Sequence, residues 1–590
     1  MPAPPIDVVT LEVIRHVLPA IANEMSQVMQ RTSRNMMIYE VRDYCCGLLD
    51  TRGRLLSQNT GGVSHFVADM GVVIRDGVAR YGADGFQPGD VIITNHQRVA
   101  GQHLNNIMVY TPCFGAGTLV GFAATRAHWV DVGGLSTGFS AGNATDPWME
   151  GLQLDQIKLW ERGAIDDKAW RIIRDNIRYP ESSMGDLNAQ VAACRLAESR
   201  WAEVVERYRR ETVDRAVEIV FDQAEARCRA AVARLPDGRY VAESLFGGSA
   251  LDDNQPVLIK VAVTVDGDRM TIDLTECSSQ RRQPINARTL AAALIAYKAI
   301  TAPHDPVNDG AFRGLTVKIQ EGNYMMAPFP APMASWGRTL PSVVDTILAA
   351  LAPILPDRIP AAHLGVLGGT VVFFGTTRSS GRSPGQRFVT QSIEGGGWGG
   401  RPFEDGESAA VSVCQGDVHN APIEKMEMRW PVIVHRRALR RDSGGPGTFR
   451  GGLGLEVEVR GLVEGSWTLA DTGRHGYPPW GLSGGLPGKP SDSLMKKPGE
   501  PSFSRVDLIR QTVPEGSVAV IVTAGGGGWG DPLERDPERV RQDVVDDLVS
   551  DDAARDQYGV VLDATTRAVQ TEATALRRTE LKAARATGES

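Results

Sequence analysis

Glycine sets the first limit on this chain. It fills 64 of 590 positions, above the roughly 7% usual in proteins, and it gathers after position 390. A region so composed must contain many tight turns or close backbone approaches. Three runs stand out: Ile393-Glu394-Gly395-Gly396-Gly397-Trp398-Gly399-Gly400, Asp442-Ser443-Gly444-Gly445-Pro446-Gly447 and Ala524-Gly525-Gly526-Gly527-Gly528-Trp529-Gly530-Asp531. The repeated Gly-Gly-Gly-Trp-Gly has different flanks in its two places and does not read as an internal repeat. Successive N–H groups in such runs could cradle a phosphate; turns in a β-rich region are the plainer reading.

The remaining bulk properties bound the class. A chain of 590 residues is too long for one core, and roughly three or four domains are expected. Hydrophobic residues at 42% and charged residues at 23% are ordinary for soluble protein. A net charge of -8 argues against a nucleic-acid footprint. No apolar run reaches the roughly 20 residues of a membrane helix. Met1-Pro2-Ala3-Pro4-Pro5 lacks the basic start and apolar stretch of a secretory signal. The 7 cysteines show no CxxC spacing, and the adjacent Cys45-Cys46 pair is unsuited to a strain-free disulfide. A reducing cytoplasm is the expected location.

Periodicity gives an α+β, multidomain chain with mixed sheets and helices. It has a Gly-rich, β-dominated C-terminal half and a helical C-terminal tail. Residues 1–150 read as an α/β region: an amphipathic helix over 8–32, a strand–turn–strand over 42–56, a helix over 66–82, and buried strands at 91–95 and 118–124. Residues 151–240 read as helical and 241–354 as α+β. The latter holds a hairpin turning at Asp266-Gly267-Asp268 and helices near 289–301 and 342–354. Residues 355–535 are the Gly-rich β region, and 536–590 the tail, with a fraying end at Thr587–Ser590.

Two of the chain's 10 histidines lie close together at strand ends, where functional groups are often presented. His103 opens His103-Leu104-Asn105-Asn106 and His128 opens His128-Trp129-Val130-Asp131. Two imidazoles with nearby oxygens suit a divalent cation with open positions. Asp131 and Asp43 are the candidate anionic ligands, and Asp131 could instead fix a histidine tautomer from behind. Asn106 offers only a neutral carbonyl oxygen. Other motifs are weak. Gly484-Gly485-Leu486-Pro487-Gly488-Lys489-Pro490 has the wrong spacing for a phosphate loop, and no nucleotide site is evident. GxSxG occurs at 134–138, 138–142 and 481–485, never between a clear strand and helix. Cys45 and Cys46 read as buried structural thiols. Arg126, Arg338 and Arg401 are candidate carboxylate clamps, though structural arginine is the plainer reading of each.

A long series of motifs resembles the hydantoinase B/oxoprolinase family over about residues 6–565. It includes Thr10-Leu11-Glu12-Val13-Ile14-Arg15, Arg42-Asp43-Tyr44-Cys45-Cys46-Gly47-Leu48, Gly101-Gln102-His103-Leu104, Arg126-Ala127-His128-Trp129-Val130-Asp131-Val132-Gly133-Gly134, Glu150-Gly151-Leu152, Gly185-Asp186-Leu187-Asn188-Ala189-Gln190 and Gly525-Gly526-Gly527-Gly528-Trp529-Gly530-Asp531-Pro532. The resemblance implies one component of a hetero-oligomer. A hydantoinase A-like partner binds ATP and phosphorylates a carbonyl oxygen of the substrate, and this chain completes the reaction. The implied substrate is a cyclic amide (hydantoin, 5-oxoproline or a lactam), opened by water. In ketone-carboxylase relatives it is a ketone instead. A non-catalytic scaffold is a third reading.

The resemblance also implies a divalent metal, zinc or manganese. Its ligands map to Asp43, His103, position 106 and His128, with His103, His128 and Asp131 as catalytic residues. The chain departs from the family pattern Asn-Asp-Pro-Tyr-x-Gly-Gly-Thr-His-Leu-x-Asp: it reads Asn95-His96-Gln97-Arg98-Val99-Ala100-Gly101-Gln102-His103-Leu104-Asn105-Asn106. His96 and Asn106 replace carboxylates, so either His96 joins the ligand set or metal is held poorly. The Gln-His-Leu-Asn-Asn variant also resembles the acetophenone-carboxylase branch.

Overall fold

The computed structural model describes residues 6–138, 142–378, 384–470, 476–506 and 510–587. Helices and four sheets alternate along the chain, which is the expected α+β class. The chain divides into two compact units: 1–241 with 259–337 and 413–422, and 242–258 with 338–412 and 423–590. No helix among the described residues is long and apolar enough to cross a membrane.

The first unit is built on a seven-stranded antiparallel sheet. Its strands are β1 (Tyr44–Leu49), β2 (Leu55–Gln58), β3 (Val91–Thr94), β4 (Asn106–Gly115), β5 (Thr118–His128), β6 (Ile157–Glu161) and β7 (Ala164–Ile165), in the order β2-β1-β5-β4-β3-β6-β7. Helix α1 (Val8–Thr32) starts on Asp7, whose carboxylate accepts from the Thr10 N–H at 2.9 Å, an N-cap. Ile14, Leu18, Ile21, Met25 and Met29 recur at helical spacing and form its buried stripe, as amphipathic packing requires. That stripe shares one core with β1, β5 and the helices Pro180–Tyr208 and Arg210–Val232. The helix Ser64–Tyr81 also packs on β1 and β5.

β4 and β5 are therefore buried almost throughout, and strands covered on both faces read as continuous apolar runs rather than alternating ones. β4 is absent from the sequence reading. Pro112 lies inside it, opposite Phe122, and a proline normally argues against an inner strand. The expected helical stretch also contains the β6–β7 hairpin. Polar residues of the helix Pro180–Tyr208 tie it to the sheet. Gln190 accepts from Trp129 Nε1 at 2.9 Å and donates to the Ile107 carbonyl at 3.1 Å. Asp186 accepts from the Arg34 and Asn35 N–H groups at 2.6 and 3.0 Å. Beyond this core, Val257–Asp266 and Arg269–Asp273 form the expected hairpin, and Leu315–Lys318 lies parallel to the second strand.

In the second unit, the strands Gly369–Thr376, Arg387–Glu394, Gly465–Ala470 and Gln511–Val513 make one antiparallel sheet. Val432–Leu439, Leu455–Gly461, Asp492–Lys496, Ser504–Arg505 and Val518–Val522 make another. Val371, Phe373, Val457, Trp467 and Ile521 belong to one core. The glycine runs are neither strands nor helices. The segment 524–530 is threaded among 361–364, 397–400, 445–452 and 482–489 and hydrogen-bonded to each. Gly397 N–H reaches the Ala524 carbonyl, Gly445 N–H that of Gly526, Gly527 N–H that of Ala362 and Gly528 N–H that of Leu486, all within 2.7–2.9 Å. A Cβ on Gly526 would sit 1.9 Å from the Trp398 carbonyl oxygen, and one on Gly452 1.8 Å from that of Glu407. Close approach therefore explains these glycines. Every N–H from Gly525 to Gly530 donates to a backbone carbonyl, so none remains to cradle a phosphate. The tail helices Pro537–Val545 and Asp551–Asp556 share a small core with Val549, Tyr558 and Val560. The fraying expected beyond Thr587 lies outside the described residues.

Candidate active site

Three strand ends lie side by side across the first sheet. Asp43 immediately precedes β1, His128 ends β5 and Asn106 begins β4. Asn106 and His128 are register partners, and the His128 N–H donates to the Asp43 carbonyl at 3.1 Å. A turn closed by the Asn106 N–H on the His103 carbonyl, at 3.2 Å, brings His103 back over this row. The rings of His103 and His128 meet edge to face with centroids 4.9 Å apart, and Trp336 stands 6.2 Å from His103.

Burial governs the electrostatics. It pushes the His103 imidazole down to about 4 and His128 well below its usual range, with His103 adding to the effect. Both are neutral at pH 7. Burial pushes the Asp43 carboxyl up to about 7, and its Oδ1 has no hydrogen-bond partner among the described residues.

His103 Nε2 lies 2.8 Å from Asn106 Oδ1. Asn106 Nδ2 donates to Gln102 Oε1 at 2.7 Å, and Gln102 Nε2 donates to Asp69 Oδ2 at 2.8 Å. Asp69 also accepts from Thr289 Oγ1 at 2.8 Å and faces Arg126 Nη1 at 3.8 Å. A cavity of about 1000 Å³ opens beyond Asp69, lined by Leu55, Arg75, Leu294, Asp309 and Phe312 among others. The imidazole pair is not in its wall.

The other anticipated residues stand elsewhere. His96 turns to Phe329, ring centroids 5.1 Å apart, and its Nδ1 accepts from the Arg98 N–H at 3.2 Å. Asp131 accepts from the N–H groups of Gly133, Gly138 and Arg178 and from Arg178 Nη1, all within 2.9–3.1 Å. It anchors the loop after β5. Among the described residues no group of three or more His, Cys, Asp or Glu side chains is placed to hold a metal ion. The oxygen of Asn106 is already against His103. As arranged, the residues do not fit a divalent cation. All seven cysteines are buried, and none forms a disulfide among the described residues. The three GxSxG matches form no nucleophile elbow among the described residues, and Phe139–Ala141 lie outside them. Arg126 is buried on Asp69, and Arg401 pairs with its neighbour Glu404 at 2.6 Å.

Sequence reasoning assigned no role to Asp69, Gln102, Thr289 or Glu150. Burial pushes Glu150 up to about 7; it accepts from Gln97 Nε2 at 2.6 Å and the Ala334 N–H at 2.8 Å. One signal was available for Asp69: with His65 it interrupts the apolar face of the helix Ser64–Tyr81.

Asp43 gives a stability prediction. Its carboxyl titrates near 7 in the fold against an ordinary 3.8. A raised acid stabilises the fold fully below about pH 4, and this contribution is lost as pH rises through 7, up to about 4 kcal/mol. Asp43→Asn should remove that loss. The thermal midpoint of the wild type should fall more than that of the variant between about pH 5 and pH 8; parallel curves would refute the assignment.

Known proteins share this architecture. The family model described as Hydantoinase B/oxoprolinase matches residues 7–532. A putative D-/L-hydantoinase component of the B type, from Pseudomonas sp. (strain NS671), is 33% identical over 94% of this chain and 95% of its own length. The beta chain of the Pseudomonas jessenii caprolactamase is 28% identical over 95% of this chain and 97% of its own. The crystal structure of the ATP-dependent caprolactamase from that organism superposes with a TM-score of 0.87 at 26% identity, covering 98% of this chain and 100% of that one. Nucleotide-free acetone carboxylase shares the fold, with a TM-score of 0.88 at 18% identity over 98% of this chain and 83% of that one. A match over nearly the whole chain, with the motif histidines meeting at adjacent strand ends, makes this chain a member of the Hydantoinase B/oxoprolinase family.

Proposed function

We propose that this chain is the B-type component of an ATP-dependent cyclic-amide hydrolase. In this reading an A-type partner binds ATP and transfers its γ-phosphoryl group to the amide oxygen of a hydantoin, 5-oxoproline or lactam. Water then adds to the carbon that bears the phosphorylated oxygen, giving up a proton to an imidazole. The ring nitrogen leaves, taking up a proton, as the amine of an opened lactam or 5-oxoproline or the ureido nitrogen of an opened hydantoin, and a second water hydrolyses the acyl phosphate. The observation that carries the reading is the buried His103–His128 pair, which burial keeps neutral, each ring with one unprotonated nitrogen. The relatives named as components of a hydantoinase and a caprolactamase support the amide over the ketone. The acetone carboxylase likeness, at 18% identity, speaks to fold alone.

The test is ADP release by this chain co-expressed with its A-type partner. A hydantoin or lactam should stimulate release without bicarbonate. Stimulation by a ketone, with bicarbonate required for a carboxylated product, would replace this reading with that of a ketone carboxylase.

A further inference from the structure

We infer that Asp69, Gln102 and Asn106 form a relay that fixes the proton of His103 on Nε2. The inference deepens the reading of His103 as a working imidazole, but its main test is independent of that reading. A carboxylate is an acceptor only, whereas an amide has a donor end and an acceptor end. Asp69 therefore fixes which way Gln102 points: Nε2 donates to Asp69 at 2.8 Å, leaving Oε1 towards Asn106. Oε1 in turn takes the Asn106 Nδ2–H at 2.7 Å, so Asn106 presents Oδ1 to the ring. At 2.8 Å that oxygen needs a proton on His103 Nε2. The three relay residues are at most 3% exposed, so water does not offer either amide an alternative partner. The carbonyl of Ala334 lies against the same imidazole and competes for its proton, and neutral imidazole has one to give. The relay decides the competition without touching substrate. Asp69, Gln102 and Asn106 are positioning residues.

The geometry also accounts for an amide at 106. Aspartate there would satisfy His103 but leave Gln102 Oε1 without a donor. It also explains why Asn106 is not free to act as a ligand: its oxygen holds the ring, and its nitrogen is held by Gln102.

The test is ¹⁵N NMR of the full-length chain labelled on histidine, with His103 assigned by comparison with His103→Gln. A far-UV circular dichroism spectrum and a thermal midpoint near wild type serve as the check of intact folding. In the wild type the His103 shifts should report a protonated Nε2 and an unprotonated Nδ1. Gln102→Met, similar in volume but unable to bridge, should move both shifts towards a mixture of tautomers. Thr289→Val also removes a donor to Asp69 but lies outside the relay, and it should leave both shifts in place. Asn106→Asp keeps an acceptor at the ring and should keep the Nε2 proton. A wild-type Nε2 without a proton, as metal ligation would require, overturns the relay. So does a Gln102→Met spectrum identical to wild type, or loss of the Nε2 proton in Asn106→Asp. In the complex, Gln102→Met should lower kcat about 10–100-fold with little change in KM. If the shifts move as described while His128→Gln leaves turnover intact, the relay stands and the catalytic role of the imidazole pair fails.

Discussion

Replacing His128 by glutamine should reduce substrate-dependent turnover of the assembled complex by about 10²–10⁴-fold, the usual contribution of a positioned proton acceptor. His128 is 2% exposed, and its imidazole is the ring that His103 faces. Glutamine keeps much of the volume and a polar end but cannot take a proton at neutral pH. His103→Gln should behave alike, and the double variant should be little worse than either alone, because groups that act as a unit are not additive. The measurement is steady-state product formation by the co-purified complex, with association of the A-type partner checked in parallel. Activity retained within a few-fold would leave the scaffold reading standing.

The second large effect is on folding. Gly526→Ala would put a methyl carbon 1.9 Å from the Trp398 carbonyl oxygen and 2.7 Å from the Gly399 nitrogen. Both obstacles are backbone, so no side chain can swing aside. Gly526 also accepts from the Gly445 N–H at 2.7 Å and donates to the Gly452 carbonyl at 2.9 Å, so moving it breaks bonds on two sides. The cost should exceed the ~4–5 kcal/mol that marks an exceptional point mutant, with most of the protein lost to the insoluble fraction. Gly461→Ala is the control: its added carbon meets the rim of the Phe373 ring at 3.1 Å, and soluble yield should stay near wild type. Equal yields of the two variants would show that the close packing of the glycine segments is not needed for folding.

Much of this was legible in the sequence, for identifiable reasons. The helix over 8–32 and the hairpin after 257 announce themselves by period, because each has one face on a core. The two histidines announce themselves by rarity and motif. What was hidden depends on contacts between distant residues. Asp69 and Gln102 are 33 positions apart, and Thr289 reaches Asp69 across 220; no local pattern encodes either. His96 was assigned by its place in a motif, yet the loop turns it towards Phe329. The glycine runs offered two physical uses, free N–H groups or the lack of a Cβ. The choice lay in where their hydrogen bonds go, and many of those partners are dozens of residues away or more, as in Gly528 with Leu486 and Gly397 with Ala524.

The row of strand ends has a kinetic consequence. β1 meets β5 through pairs such as Tyr44 with Ala127, so the chain must close a loop of some eighty residues before Asp43 and His128 become neighbours. Non-local closures of this kind are slow steps in folding. Neither local hairpin, β1 with β2 or β4 with β5, contains the whole site, and a chain arrested at that stage would have ordered secondary structure and no chemistry. Catalytic competence should therefore return with the last phase of refolding, making turnover a clock for closure of the central sheet.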